Sequence, residues 1–179
     1  MENRYRVRAL TQGDAEQIAR WRYPAPYDFY DSAPANASRE LLAATAAYYA
    51  DPLHAYFAVD DETGSFLGFG CFGVEAQISG YDYSEQDALD IGFGMCPDRI
   101  GCGLGNAFLS AILSHGLAAH SPTFLRATVA TFNERSARTF LRAGFVRIAT
   151  FRSRTTRPTD FGVYTRAAIS GDGRSPSAA

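Results

Sequence analysis

Leu89-Asp90-Ile91-Gly92-Phe93-Gly94-Met95-Cys96-Pro97-Asp98-Arg99-Ile100-Gly101-Cys102-Gly103-Leu104-Gly105-Asn106 decides the reading of this chain. Leu89 to Met95 is an apolar strand, Pro97 to Gly105 a glycine-rich turn, and Leu104 to Leu117 a helix with Leu104, Phe108 and Ile112, then Leu109, Leu113 and Leu117, at four-residue spacing. A turn of this kind leaves backbone N–H groups unpaired at the positive end of a helix dipole, which makes it an anion site. Its glycines let a phosphate approach the backbone. Two common phosphate motifs fail on the letters. A dinucleotide fingerprint would need glycine where Asn106 stands, and a P-loop would need lysine, of which the chain has none.

Downstream, Phe124 to Ala130 alternates as a strand, and Asn133 caps a short helix through Ala143 with Gly144 at its C-terminal turn. Phe145 to Phe151 and Asp160 to Ala167 are further strands. Upstream, Tyr5 to Ala9 is a strand, Thr11 to Arg20 a helix, and Arg39 to Asp51 a second helix that ends before Pro52. Between those helices Trp21, Tyr23, Tyr27, Phe29 and Tyr30 crowd with two prolines into ten residues, too Pro-rich for a helix and too apolar for a disordered linker. His54 to Asp60 and Ser65 to Val74 flank Asp61-Glu62-Thr63-Gly64 as a hairpin, and Ile78 to Asp87 is a polar loop. The pattern predicts one domain over residues 1–168 and a disordered tail over 169–179.

The two glycine-bearing segments together resemble the GNAT family of N-acetyltransferases. Ile100-Gly101-Cys102-Gly103-Leu104-Gly105 is similar to the family's Gln/Arg-x-x-Gly-x-Gly/Ala loop. Asn133-Glu134-Arg135-Ser136-Ala137-Arg138-Thr139-Phe140-Leu141-Arg142-Ala143-Gly144-Phe145 is similar to its Asn-x-x-Ala-x-x-x-Tyr-x-x-x-Gly-Phe landmark. The resemblance implies an α/β fold: a mixed, mostly antiparallel sheet of six or seven strands, splayed at its centre, with helices on both faces. It also implies transfer of the acetyl group of acetyl-CoA to a primary amine by direct attack in a ternary complex. The cofactor would meet Arg99, Ile100, Gly101, Cys102, Gly103, Leu104, Gly105 and Asn106 in the turn. Asn133, Ser136 and Phe140 would meet it on the later helix, and Met95 and Cys96 through their backbone beside a bulged strand in which Gly92 and Gly94 allow irregular pairing. Two positions depart from the family. Ile100 opens the loop, with Arg99 one residue earlier, and Phe140 stands where the family has a tyrosine that protonates the departing thiolate.

The resemblance leaves the proton-transfer groups to be chosen. Asp90 and Glu75 are the candidate bases, and Tyr164 on the last strand is the candidate proton donor. The acceptor pocket is expected from Trp21, Tyr23, Tyr27 and Tyr30, with Asp82 of the polar loop supplying charge, so the partner is a small-molecule or peptide amine. A weakly active or non-catalytic acyl-CoA-binding module, and a transferase of a longer acyl group, are the alternatives. Cys102 is a bystander on this chemistry, which needs no enzyme nucleophile.

Composition limits the rest. The 179 residues carry 17 basic and 19 acidic groups, a formal charge of −2, so neither nucleic acid nor a membrane surface is an expected partner. All the basic residues are arginine, which rules out Schiff-base chemistry. Between Leu41 and Asp98 there is no basic residue, whereas Arg99 to Arg166 holds ten arginines and only Glu134 and Asp160 as acids. An acidic half suits a cationic substrate and an Arg-rich half an anionic cofactor. Three cysteines without a CxxC pair, and histidines without ligand spacing, predict no disulfide framework and no metal. The N-terminus has no apolar signal region, so a cytoplasmic protein is expected; dimerisation, common in the family, has no signal of its own here.

Overall fold

Among the described residues, period-two alternation builds seven strands and period-3.6 stripes build four α-helices. The strands are β1 (Arg6–Ala9), β2 (Phe57–Asp60), β3 (Phe66–Phe72), β4 (Ala88–Met95), β5 (Phe124–Ala130), β6 (Val146–Arg152) and β7 (Asp160–Ala167). The helices are α1 (Gln12–Arg20), α2 (Arg39–Ala50), α3 (Gly105–His120) and α4 (Glu134–Arg142). This computed structural model describes residues 5–168; the expected tail, 169–179, lies outside them. The strands form one sheet in the order β1-β2-β3-β4-β5-β7-β6. Only β4 and β5 run parallel, because α3 forms the crossover that parallel strands require.

Glycines show which helices lie on which face. A Cβ at Gly68 of β3 would stand 2.8 Å from the Phe108 ring of α3, whereas the next residue, Phe69, packs on Tyr49 of α2. Successive strand residues point to opposite faces, so α2 and α3 cover opposite sides of the sheet. Phe108, Leu109, Ile112 and Leu113 of α3 join Leu125, Ala127, Phe140, Phe145 and Tyr164 in the main core. Each large apolar side chain buried there contributes roughly 1.5–3 kcal/mol.

The sheet splits at its middle. β4 and β5 pair from Ala88↔Phe124 to Ile91↔Ala127 and no further. Beyond that point β4 stays with β3 through Met95↔Gly68, while β5 stays with β7 through Ala130↔Phe161. The expected splay is therefore present, but β4 has no register shift; shifts fall between Val59 and Asp60 and between Arg147 and Ala149. Gly92 and Gly94 instead admit bulk from β3. Added Cβ atoms would lie 2.8 Å from Cys71 Sγ and 2.5 Å from the Phe69 ring, so these glycines serve regular, close cross-strand packing.

Several boundaries differ from the sequence reading for local reasons. Asp51 caps a 3-10 turn over Pro52–His54 and Ala55 is left-handed at φ 49°, so β2 starts only at Phe57. β3 gives way to another 3-10 turn at Gly73–Ala76. Tyr27–Tyr30 also forms a 3-10 turn, the one short helix its neighbouring prolines permit. Gly144, at φ 85°, closes α4 through Gly144 N–H to Leu141 O and Phe145 N–H to Phe140 O, which delays β6 to Val146.

Candidate active site

The open end of the fork is built from backbone. Cys96 N–H donates to Leu67 O at 2.8 Å, and antiparallel pairing then alternates back along β4. Gly94 and Gly92 bond to β3, so Phe93 and Met95 turn their N–H and C=O groups toward β5, which has already diverged. The Met95 carbonyl accepts from the Tyr23 hydroxyl at 2.9 Å. The Cys96 amide, one of the expected contacts, is bound to β3, whereas the Phe93 backbone faces the fork. Strand parity was legible at Phe93; the point where β5 leaves was not.

At the end of β4 the glycine turn opens to solvent. Gly101 and Gly103 are left-handed, with φ 84° and 78°, and nothing lies within 4 Å of an added Cβ at either. Leu104 precedes α3 without a side-chain cap, so the first-turn N–H groups face outward. Cys102 and Asn106 are exposed and Ile100 is half-buried. Gly105 stands against α4, an added Cβ lying 3.4 Å from Thr139 Oγ1. Arg99 does not point into this turn: its Nη2 donates to Asp61 Oδ2 at 3.0 Å. The Thr63 hydroxyl, with backbone N–H groups and Arg99 behind it, brings the Asp61 carboxyl down to about 2.

Across the fork, Asn133 caps α4. Its Oδ1 accepts from Ser136 N–H at 3.1 Å and its Nδ2 donates to the Tyr30 hydroxyl at 3.3 Å. Phe140 is 2% exposed and packs on Phe93 and Phe145, with centroids 5.5 and 5.1 Å apart. It fills the core and carries no proton.

The aromatic segment after α1 straps the two arms together. Trp21 stacks on Phe66 and Phe69 of β3, and Tyr23 holds Met95 while its own N–H donates to Asp31. Tyr27 takes a hydrogen bond from Arg135 Nε and lies under that guanidinium at 4.2 Å; Phe29 and Tyr30 pack around Phe132. Of the expected acceptor residues, Trp21 and Tyr23 thus lie against β3 and β4, and Tyr27 and Tyr30 against Phe132 and the start of α4. Asp82 does not join them. It is exposed and caps its own loop through Ser84, and no hydrogen bond or ion pair among the described residues joins it to the strap.

The candidate proton-transfer groups lie apart. Asp90 is 3% exposed and binds Arg126 through both oxygens, at 2.6 Å to Nε and 3.0 Å to Nη2, with Gln77 Nε2 also donating at 2.7 Å. No oxygen is left free for an amine, which removes Asp90 from the bases. Glu75 Oε1 meets His54 Nδ1 at 2.8 Å, and Oε2 accepts from Tyr48 and Tyr56 at 2.6 and 3.0 Å. Burial raises the Glu75 carboxyl, but the three partners outweigh it and hold the group below the ordinary range. That suits a fixed charge better than a strong base. Tyr164 is 6% exposed within the main core, its ring leaning back along β7 over Gly162. His54 was missed because its reach to Glu75 depends on the 3-10 turn.

The sequence profile of the acetyltransferase (GNAT) domain matches residues 4–146. No curated protein matches the chain. Among solved structures, a GNAT-family acetyltransferase from Bacillus anthracis superposes with TM-score 0.69 at 17% identity, over 92% of this chain and 95% of the other. The spermidine N-acetyltransferase from Vibrio cholerae, in complex with CoA and spermine, gives 0.61 at 15% identity, over 92% and 95%. Such identities speak for the fold, and the profile match over most of the chain speaks for descent: this chain belongs to the GNAT acetyltransferase family.

Proposed function

We propose that the chain transfers the acetyl group of acetyl-CoA to a primary amine that attacks directly in a ternary complex. The observation that carries this reading is the fork: wedge-facing backbone at Phe93 and Met95 that leads straight to an uncapped, unobstructed glycine turn. Acetyl-CoA supplies an activated acetyl carbonyl when bound. The chain fits it. Open left-handed glycines and free α3 N–H groups suit a pyrophosphate, and an unpaired strand edge suits an amide-bearing arm. Ile100 to Asn106 would hold the phosphates, Phe93 and Met95 the arm, and Asn133 and Ser136 the α4 side.

The amine enters from the strap side. Glu75 supplies fixed negative charge there, separated from Gly94 by the Phe69, Tyr49 and Tyr56 rings. An acceptor with a second ammonium suits this arrangement, one amine at the fork and the other near Glu75. The spermidine enzymes among the structural neighbours make a polyamine the first acceptor to try.

Thiol release on an amine panel tests the reading. Spermidine should turn over, and Glu75→Gln should raise its KM about tenfold while leaving a monoamine unchanged. Bound CoA with turnover on no amine would favour an acyl-CoA-binding module, the reading that the protonless Phe140 supports.

A further inference from the structure

The departing thiolate needs a proton, and Phe140 has none to give. We propose that Tyr23 supplies it, an inference that rests on the acetyl-CoA reading above. Three observations point to this residue. First, the alternation fixed by Cys96 N–H to Leu67 O puts the Met95 carbonyl inside the fork, so a hydroxyl 2.9 Å from that oxygen is inside the fork as well. Second, the Met95 carbonyl is an acceptor that an amide N–H of an arm paired along β4 would take. Pairing there displaces the Tyr23 proton from its present partner and leaves it to seek the next acceptor on the arm, the sulfur. Third, the strap's other phenols are held on the α4 arm, away from the β4 edge. The Tyr30 hydroxyl takes Asn133 Nδ2, the Tyr27 hydroxyl takes Arg135 Nε, and Tyr164 lies in the core behind β7.

The strap holds Tyr23 for this task. Trp21 is stacked on two rings of β3 two residues earlier, and the Tyr23 N–H is fixed by Asp31 Oδ1 at 2.9 Å, so the backbone is anchored while the ring can still turn about its side-chain bonds. Burial raises this phenol above its ordinary range, so it stays a hydroxyl across the pH range in which a bound thiol ionises.

The step balances. The amine lone pair forms the new C–N bond, the C–S bond breaks, and its electron pair stays on sulfur. Tyr23 gives its proton to that sulfur and regains one from the nitrogen, which sheds a proton as it becomes an amide, directly or through water.

A donor aimed at sulfur also stabilises a bound thiolate, so the test needs no acceptor. The thiol of CoA bound to the wild type, Tyr23→Phe and Tyr164→Phe is titrated by its thiolate absorbance. Tyr23→Phe should raise the midpoint by about one pH unit, the equivalent of one hydrogen bond, with affinity for the neutral thiol unchanged, while Tyr164→Phe leaves the midpoint where it is. An unmoved midpoint in Tyr23→Phe, or a shift in Tyr164→Phe instead, would overturn the assignment with the acetyl-CoA reading intact. Failure of the folded wild type to bind CoA would overturn that reading and the assignment with it.

Discussion

Arg126 is 2% exposed and fully charged, which is tolerable only because every side of it is met. Asp90 takes two of its N–H groups, the Tyr83 carbonyl takes a third at 2.9 Å, and the Tyr83 ring lies 4.8 Å beneath the guanidinium. Removing one partner strands the other. Arg126→Met should cost ~3–5 kcal/mol, read as a lower urea midpoint, because it leaves the Asp90 charge buried and uncompensated. A loss below about 1 kcal/mol would show that the carboxylate finds water or a proton at little cost. The sequence offers Asp90 as a base because an acid on the strand before a glycine turn is indistinguishable from a catalytic one. Its partner stands 36 residues away and reaches it only through the parallel register of β4 and β5. The same holds for Tyr23, whose bond to Met95 spans 72 residues.

At the level of elements, what was legible is what local chemistry decides. The β4–turn–α3 unit, the Asn133 cap and the Gly144 stop each depend on a few adjacent residues, and all three are present. Elements set by distant contact partners carry no such local signal. Gly92 and Gly94 suggest irregularity in isolation, but across the sheet they are matched to Cys71 and Phe69. Gly94→Ala puts a methyl group 2.5 Å from the Phe69 ring, and since Phe69 is also gripped by Trp21, Tyr49 and Tyr56 it has little room to yield. We expect a loss of about 1–3 kcal/mol in denaturant unfolding, the usual range for overpacking. A neutral result would mean that the ring wall beside the fork is loose.

On the scale of the whole molecule, the acidic first half and arginine-rich second half of the sequence do not become two opposed faces. The fold brings them into register as partners: Asp61 with Arg99 and Asp90 with Arg126. Two further features flank the fork: a Glu75 carboxylate held by His54, Tyr48 and Tyr56 on the α2 side, and an open run of N–H groups at the turn into α3. The splayed sheet sits between them. We propose that acetyl-CoA lies along its opening, beneath the strap and against the turn at its end. Calorimetry of acetyl-CoA against the wild type and Gly103→Glu tests this most directly, because the substitution sets a bulky anion in the turn with no packing neighbours to disturb, its strain at φ 78° being confined to the exposed loop. The wild type should bind, and a variant that remains folded should lose at least ~100-fold in affinity. Equal binding by both proteins would place the coenzyme elsewhere and contradict it.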